Sequence, residues 1–164
     1  MPSDPPLGGT HSGAVRITAK TDYAIRAAVE LAFRQAGNGP PLKAESIAEA
    51  QAIPLPFLQI ILADLRRYGL ITSRRGIDGG WRLTRSANAI TVADVVHAIN
   101  GSIANIAGIG PEELDYRGAA RSLKELWITL DDNVRGVLEG VTLADLAAGR
   151  FPGPPASSAA TPAS

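Results

Sequence analysis

The clearest hydrophobic pattern in the chain is a helical one, and it lies just after Pro54. Its apolar residues recur at three- and four-residue steps, which places them on one face of a helix with 3.6 residues per turn. They are Phe57, Leu58, Ile61, Leu62, Leu65 and Tyr68. The opposite side carries Gln59, Asp64, Arg66 and Arg67. The pattern predicts an amphipathic helix over residues 54–68 that ends at Gly69, because glycine adopts the left-handed conformation of a helix C-terminus without a Cβ clash.

Two short strand-like stretches follow this helix. Residues 70–74 and 81–84 flank a Gly-Ile-Asp-Gly-Gly segment, and its Asp-Gly pair is expected to supply the positive φ angles of a tight hairpin. Between positions 66 and 85 the chain has six arginines and one acid, Asp78, so this segment has a formal charge of +5 although the net charge of the chain is zero. A helix followed by a basic two-stranded wing is typical of a winged helix-turn-helix, which binds the grooves of DNA.

Two helical patterns precede the amphipathic helix. The first begins at an N-cap, Thr18, and ends at Ala36 before a Gly-Asn-Gly-Pro turn. Its inward stripe is Tyr23, Ala24, Ala27, Ala28, Leu31 and Ala32. The second covers residues 43–52, and a short turn joins it to the helix at 54–68. Two helices joined in this way predict a helix-turn-helix, with the later helix as the recognition helix.

The region after the wing contains the same start signal twice. Thr91 with Asp94, and Thr142 with Asp145, each match a capping box, and they predict helices that end near Gly101 and by Gly149. Residues 102–118 show no period and predict a loop. From residue 119 to 140 the pattern predicts the longest helix. Its apolar positions are spaced 4, 3, 4, 3 and 4 residues apart, as in a coiled coil: Leu123, Trp127, Leu130, Val134, Val137 and Val141.

Composition narrows the class of protein. A chain of 164 residues with 45% hydrophobic residues suits one ordinary domain plus an accessory helix, and residues 1–15 and 149–164 are predicted to be disordered because they are rich in Pro, Ala, Ser and Gly. No apolar run is long enough to span a bilayer and no signal peptide is visible, so we expect a cytoplasmic protein without a membrane partner.

Zero cysteines exclude disulfides and thiolate chemistry. The two histidines lack an obvious catalytic partner, which argues against an enzyme.

Several motifs together resemble a known family. They are RITAKTDYA at 16–24, the Phe57-Leu58-x-x-Ile61-Leu62-x-x-Leu65-Arg66 helix, the Arg75-Gly76-x-x-Gly79-Gly80-Trp81 wing, Leu126-Trp127, and VTLAD at 141–145. In order and spacing they resemble the Rrf-two family of bacterial winged helix-turn-helix transcriptional regulators, over residues 16 to about 148. The resemblance implies a mainly α fold, with a winged domain at 16–85, a connecting helix at 86–101, a sensor-type loop at 102–118, and a dimerisation helix with a short terminal helix at 119–148.

The same resemblance implies a homodimer on a near-palindromic operator in double-stranded DNA. Many family members also hold an iron-sulfur cluster through cysteines in the loop before the long helix. In this chain Arg121 occupies the position of the third cysteine, and Lys124 occupies that of a histidine ligand. Asp22 occupies the position of an acidic ligand in the first helix. Because cations cannot replace thiolates as iron ligands, the cluster does not carry over and no cofactor is expected. The input read by the loop is then a small molecule, a protein partner or nothing.

The residues expected to contact DNA lie on the first helix, the recognition helix and the wing. They are Lys20, Tyr23, Pro56, Gln59, Arg66, Arg74, Arg75, Gly79, Gly80 and Arg82. Gln59 is the expected base reader, since its amide pairs bidentately with adenine, whereas Pro56 stands where relatives place a small polar reader. The wing arginines suit phosphates or a narrow minor groove, the alternative being a solvated hairpin. Lys20 and Tyr23 resemble phosphate contacts of the family, the alternative being ordinary surface or core.

The dimer interface is expected along the seam of the long helix, at Leu123, Trp127, Leu130, Val134 and Val137. The sequence therefore predicts a homodimeric transcriptional repressor without an iron-sulfur cluster. The alternative is a protein-interaction adaptor that keeps the winged-helix fold without binding DNA and acts through the long helix and the preceding loop. The local charge of +5 favours the first prediction, because an adaptor has no need of it.

Overall fold

A computed structural model describes residues 17–101 and 115–153 of the chain. The helices and strands are, in order, α1 (Ala19–Ala36), α2 (Ala44–Gln51), α3 (Leu55–Arg67), β1 (Ile71–Arg74), β2 (Gly80–Leu83), α4 (Val92–Asn100), α5 (Leu123–Glu139) and α6 (Leu143–Ala147). The predicted extension at 1–15, most of the loop at 102–118 and most of the tail at 149–164 lie outside the described residues. The mainly α architecture with a two-stranded sheet and a long C-terminal helix agrees with the prediction.

Helix α1 is the element against which the others pack, since it contacts α2, α3, β2, α4 and α6. It begins at the predicted N-cap, where the Thr18 hydroxyl accepts a hydrogen bond from the Thr21 amide. Four alanines of α1 are buried: Ala24, Ala27, Ala28 and Ala32. Side chains this small let neighbouring helices approach closely, so the bulk of the core comes from α3 through Leu58, Ile61, Leu62 and Leu65.

The predicted helix-turn-helix is formed by α2 and α3. The chain bends by 116° between them, within the range of this motif. Ala52 takes the left-handed conformation at the end of α2, and Ile53 fills the turn with a buried side chain. Among the described residues no single helix is long and apolar enough to cross a membrane, although α2 and α3 together meet the same criterion of length and composition.

Two residues predicted on the buried face of α3 are exposed. Phe57 is 58% exposed and Tyr68 is 49% exposed, so the prediction for both was wrong. Phe57 is one residue, or about 100°, from the buried Leu58, which places it on the flank of the helix. Tyr68 is the C-cap, beyond the last turn, and its ring lies 5.9 Å from that of His97. The predicted end at Gly69 is correct, with a φ of 85°.

The wing turn is built differently from the predicted Asp-Gly turn. Positive φ angles occur at Gly76 and Gly80, whereas neither Asp78 nor Gly79 has one. Arg74 pairs with Gly80, so five residues connect the strands, and a loop of this length does not need the two-residue turn that Asp-Gly favours. Glycine is required at position 79 for another reason, because a Cβ there would lie 2.2 Å from the carbonyl oxygen of Arg74.

The two capping boxes predicted from the repeated start signal are both present, and they face each other. Thr91 and Thr142 form an antiparallel bridge. The Val92 amide donates to the Val141 carbonyl at 2.9 Å, and the Leu143 amide donates to the Ile90 carbonyl at 2.9 Å. This pairing holds the start of α6 beside the start of α4, and both helices then pack on α1.

Helix α5 begins at Leu123, four residues later than predicted. A short 3-10 turn over Gly118–Ala120, with Gly118 at a φ of 60°, occupies the start of the predicted helix. Of the predicted seam, Val141 is buried against Val92 and Val96, whereas the positions on α5 remain partly exposed in the single chain. The Trp127 indole donates to the Tyr116 hydroxyl at 3.0 Å, which ties α5 to the segment before it.

Candidate nucleic-acid interface

One side of α3 is exposed to solvent in the part of the chain that the structure describes. Its exposed residues are Pro56, Gln59, Ile60, Ala63, Arg66 and Arg67. The buried side of α3 fixes this orientation, because Leu58, Ile61, Leu62 and Leu65 hold the opposite face against α1 and its neighbours. The helix therefore presents uncharged residues in its first half and two arginines at its C-terminal end. An α-helix exposed along its length in this way fits the width of the DNA major groove.

The wing root lies beside this face. An open cleft of about 510 Å³ separates α3 from Trp81 of β2, and it is lined by Ala44, Gln59, Leu62, Ala63, Arg66, Arg67 and Trp81. Trp81 is itself half-buried against the core, and its backbone exchanges two hydrogen bonds with Leu42, at 2.7 and 3.0 Å. Trp81 therefore anchors the wing.

Glycine is required at position 80 because the wing strand approaches Leu42 closely there. The φ of Gly80 is 146°, and a Cβ there would lie 2.7 Å from the backbone of Leu42. A Cβ at Gly79 would likewise collide with Arg74. The construction of the wing therefore explains both glycines that are predicted to contact DNA. Their contact with DNA stays a prediction.

The strand register places two wing arginines on one side of the sheet. Arg82 pairs with Thr72, and Arg74 pairs with Gly80. Because side chains alternate between the faces of a sheet, Arg74, Arg82 and Thr72 share the face that points away from the core. Trp81 and Leu83 are on the other face, where they contact the core. The wing thus displays its charge outward as a consequence of its pairing.

Four of the predicted contact arginines are exposed and unpaired. Within residues 17–101 and 115–153, no ion pair or side-chain hydrogen bond involves Arg66, Arg74, Arg75 or Arg82. By contrast, Arg85 is hydrogen-bonded to the Ala89 carbonyl at 3.2 Å and lies 3.7 Å from Asp94. Guanidinium groups without protein partners are free to replace the counterions of DNA phosphates.

Helix α1 places a cation, Lys20, beside α3 through an ion pair with Asp64. Asp64 was not predicted to belong to the site. Lys20 Nζ lies 2.7 Å from Asp64 Oδ2, and the other oxygen of Asp64 is paired with Arg67. The Asp64 side chain is only 13% exposed, while those of its two partners are open to solvent. The sequence contains a signal for a role of Asp64 as an ion-pair partner, since Asp64 is the only acid in α3 and lies near Arg67. Tyr23 is half-buried, and Arg26 lies 5.1 Å from its ring centroid.

The thiolate donors of an iron-sulfur cluster are absent from this chain. It contains no cysteine, and the described residues include no group of three His, Asp or Glu side chains able to hold a metal. Arg121 follows the 3-10 turn as an exposed residue, and Lys124 lies in the first turn of α5. Asp22 is paired with Arg26 at 3.1 Å. The residues at the positions of the family ligands therefore do not fit such a cluster.

Known proteins are similar to this chain over most of its length. The family model Rrf2, described as an iron-dependent transcriptional regulator, matches residues 17–149. Rv1287 of Mycobacterium tuberculosis strain H37Rv, named as a putative HTH-type transcriptional regulator, is 42% identical over 138 residues, 84% of each chain. The solved structure of CymR, the global cysteine regulator of B. subtilis, has a TM-score of 0.69 at 30% identity and covers 83% of this chain and 98% of its own. IscR of T. potens has a TM-score of 0.68 at 28% identity, with 83% and 88% covered.

Proposed function

The chain belongs to the Rrf2 family of DNA-binding transcriptional regulators, and from this premise we propose that it is a homodimeric repressor of a near-palindromic operator. It works without an iron-sulfur cluster. The observation that carries the proposal is the combination of an outward-facing α3 with four unpaired arginines at its end and on the adjacent wing. In this arrangement α3 enters a major groove and the wing follows the neighbouring minor groove.

Electrostatics supports this docking. Asp78, the only acid between Arg66 and Arg85, is exposed at the wing tip and forms no ion pair with Arg66 or with the arginines of β1 and β2 within the described chain. Asp64, in the last turn of α3, is paired with Lys20 and Arg67. Outside residues 66–85 the chain has more acids than basic residues, so its excess of positive charge belongs to this segment. The adaptor alternative is not favoured, because a fold that binds only protein has no use for this concentration of free guanidinium groups.

The dimer is supported by the apolar surface of α5. Leu123 and Leu126 are exposed large hydrophobic residues, and Trp127, Leu130 and Val134 are only half-buried in a single chain. Packing this surface against a second copy removes it from water. A twofold axis through α5 then presents two α3 helices to half-sites one or more helical turns apart.

Repression requires no more than occupancy of a promoter by such a dimer, and relatives named IscR and CymR are described as HTH-type transcriptional regulators. We place the protein in the cytoplasm with the DNA, and we assign it no catalytic role. Its input is a small molecule, a protein partner or nothing, and any such input acts through the segment between α4 and α5, because this segment joins the DNA-binding helices to the dimer helix.

The proposal is tested by selecting bound duplexes from a random library with the full-length protein and measuring their affinity by fluorescence anisotropy. We expect a near-palindromic sequence that binds at least about a thousandfold more tightly than random duplex, which is the lower end for specific regulators. Sedimentation of the complex should give two chains per duplex. Selection that enriches no sequence, with equal affinity for all duplexes, would contradict the function and favour the adaptor.

A further inference from the structure

The first half of α3 offers DNA almost no hydrogen-bonding groups. Residues 55–63 contain a single polar side chain, Gln59. The residues exposed beside it are apolar, and the largest aliphatic one is Ile60, at 56% exposure. Ile60 lies one turn after Pro56 and one turn before Ala63, in the middle of the outward side. An isoleucine left in water at this position has a hydrophobic surface that gains free energy only when a partner covers it.

The four base pairs differ in what they offer such a surface. In the major groove, guanine is read by the donors of Arg or Lys and cytosine by the carboxylate of Asp or Glu. None of these side chains occurs in residues 55–63. An A·T pair instead offers adenine to a glutamine amide and the 5-methyl group of thymine to an apolar side chain. The side chains of Gln59 and Ile60 match both features of this base pair.

We propose that α3 reads A·T base pairs, with Ile60 packed on the 5-methyl group of a thymine adjacent to the adenine that Gln59 binds. This inference rests on the proposed function and names the bases that it recognises. Ala63 favours the contact, because its small side chain lets the helix approach the groove floor next to Ile60. Arg66 follows at the C-terminal end of α3, where it reaches a phosphate that flanks these bases.

Phe57 is a poorer candidate for this contact, although it is as exposed as Ile60. It lies seven residues before Asp64, and so on the same side of the helix. That side faces α1, where Asp64 pairs with Lys20. Phe57 is therefore directed to the flank of α3, and Ile60 is the residue that determines specificity.

The experiment replaces thymine by deoxyuridine, one position at a time, in the operator obtained by selection. This change removes the 5-methyl group and leaves the O4 acceptor and the base pairing intact. For the parent protein we expect affinity to fall about fourfold for one thymine in one half-site, and about fifteenfold when both half-sites are changed, as burial of one methyl-sized group implies. Ile60→Ala should bind the thymine and deoxyuridine operators equally.

The matched control is Ile77→Ala, which deletes the same atoms from a residue at the wing tip that is 93% exposed. It should keep the full penalty for deoxyuridine. Gln59→Ala should also keep it, while losing the preference for adenine. Ile60→Ala is expected to fold, because the site is exposed and alanine favours helix, and its circular dichroism and thermal melt should match those of the parent.

Each outcome supports or overturns the inference. G·C pairs beneath α3 in the selected operator, a parent protein indifferent to deoxyuridine at every thymine, or a penalty that survives in Ile60→Ala would overturn it and leave the proposed function intact. If selection enriches no sequence at all, the proposed function itself fails, and this inference fails with it.

Discussion

Asp64 on α3 forms an ion pair with Lys20 at the start of α1, with 2.7 Å between Oδ2 and Nζ. Its second oxygen is paired with Arg67. One nearly buried carboxylate thus holds a cation from each of two helices at the edge of the DNA-binding surface. It orients both cations and also neutralises part of their charge, so it is expected to favour binding to the correct sequence over binding to any polyanion.

Asp64→Asn should therefore lower specificity. Without the carboxylate, Lys20 and Arg67 are free to neutralise phosphates of any duplex, and the slope of log K against log salt should steepen by up to about 0.9 for each additional phosphate that is neutralised. We expect the ratio of affinities for selected operator and scrambled duplex to fall about tenfold, as measured by anisotropy at several salt concentrations. Asp78→Asn is the matched control, since it removes the same charge from the exposed wing tip. Equal ratios for both variants would mean that Asp64 acts through charge alone.

The capping box of α6 should make stability depend on acid. Hydrogen bonds from the Thr142 backbone amide, and then from its hydroxyl, lower the pKa of Asp145 below its ordinary value of 3.8. A lowered pKa means that the ionised carboxylate contributes stability above pH 3.8 and that this contribution is lost as the pH falls through the value in the folded protein. Asp145→Asn should thus be less stable than the parent at neutral pH, and the difference should shrink in acid. The difference in stability between the two proteins is measured from their urea midpoints between neutral pH and strong acid. A difference that does not depend on pH would show that the charge of Asp145 is immaterial.

The seam on α5 should hold the dimer. Leu130→Asp would bury a charge without a partner between two helices, at a cost of several kcal/mol. Sedimentation should then show a monomer, whereas Thr129→Asp, which introduces the same charge at an exposed neighbouring position, should remain a dimer. Should Leu130→Asp also sediment as a dimer, the interface lies on another surface.

The absence of cysteine should leave the protein without an iron-sulfur cluster even under favourable conditions. After anaerobic reconstitution with iron and sulfide we expect a colourless protein with no stoichiometric iron. A cysteine-containing member of the family, reconstituted in parallel, provides the positive control. Reproducible visible absorption together with bound iron would contradict this prediction.

Local signals were enough to predict most of the fold. Thr18, Thr91 and Thr142 were found as N-caps because capping depends on residues three positions apart, and Gly69 and Gly101 were found as helix ends for the same kind of reason. The positions that failed depend on more distant parts of the chain. An apolar residue at the edge of a helical stripe, such as Phe57, is buried only if a neighbouring element covers it, and the sequence does not say which side a neighbour takes.

The parts of the interface that were missed also depend on residues distant in the sequence. The role of Gly80 depends on its approach to Leu42, which is distant in the sequence, and the pairing of Asp64 with Lys20 joins two helices that only the tertiary fold brings together. The arginines were easier to predict, because six in so short a segment exceed what its single acid can pair with. Charge density is visible in a sequence, whereas the partner of one carboxylate is not.

Arg75 is the most direct test of what the wing does. It follows the last paired residue of β1 and is exposed and unpaired within the described chain, so its side chain is free to reach furthest toward DNA. If it neutralises phosphate, Arg75→Ala should reduce the slope of log K against log salt by about 0.9 for each phosphate left without a cation; if it reads a base, the substitution should cost about 1 to 3 kcal/mol per base that Arg75 recognises.

Two controls separate these effects from a general loss of charge. Arg85→Ala removes an arginine that is already bound to Ala89 and Asp94, so the salt slope should hardly change. Gln59→Ala should relax the sequence preference at one position of each half-site and leave the slope unaltered, because an uncharged side chain releases no counterions. Anisotropy at several salt concentrations measures all three variants. If Arg75→Ala and Arg85→Ala behave alike, the wing contributes only to the overall charge, and sequence recognition rests with α3.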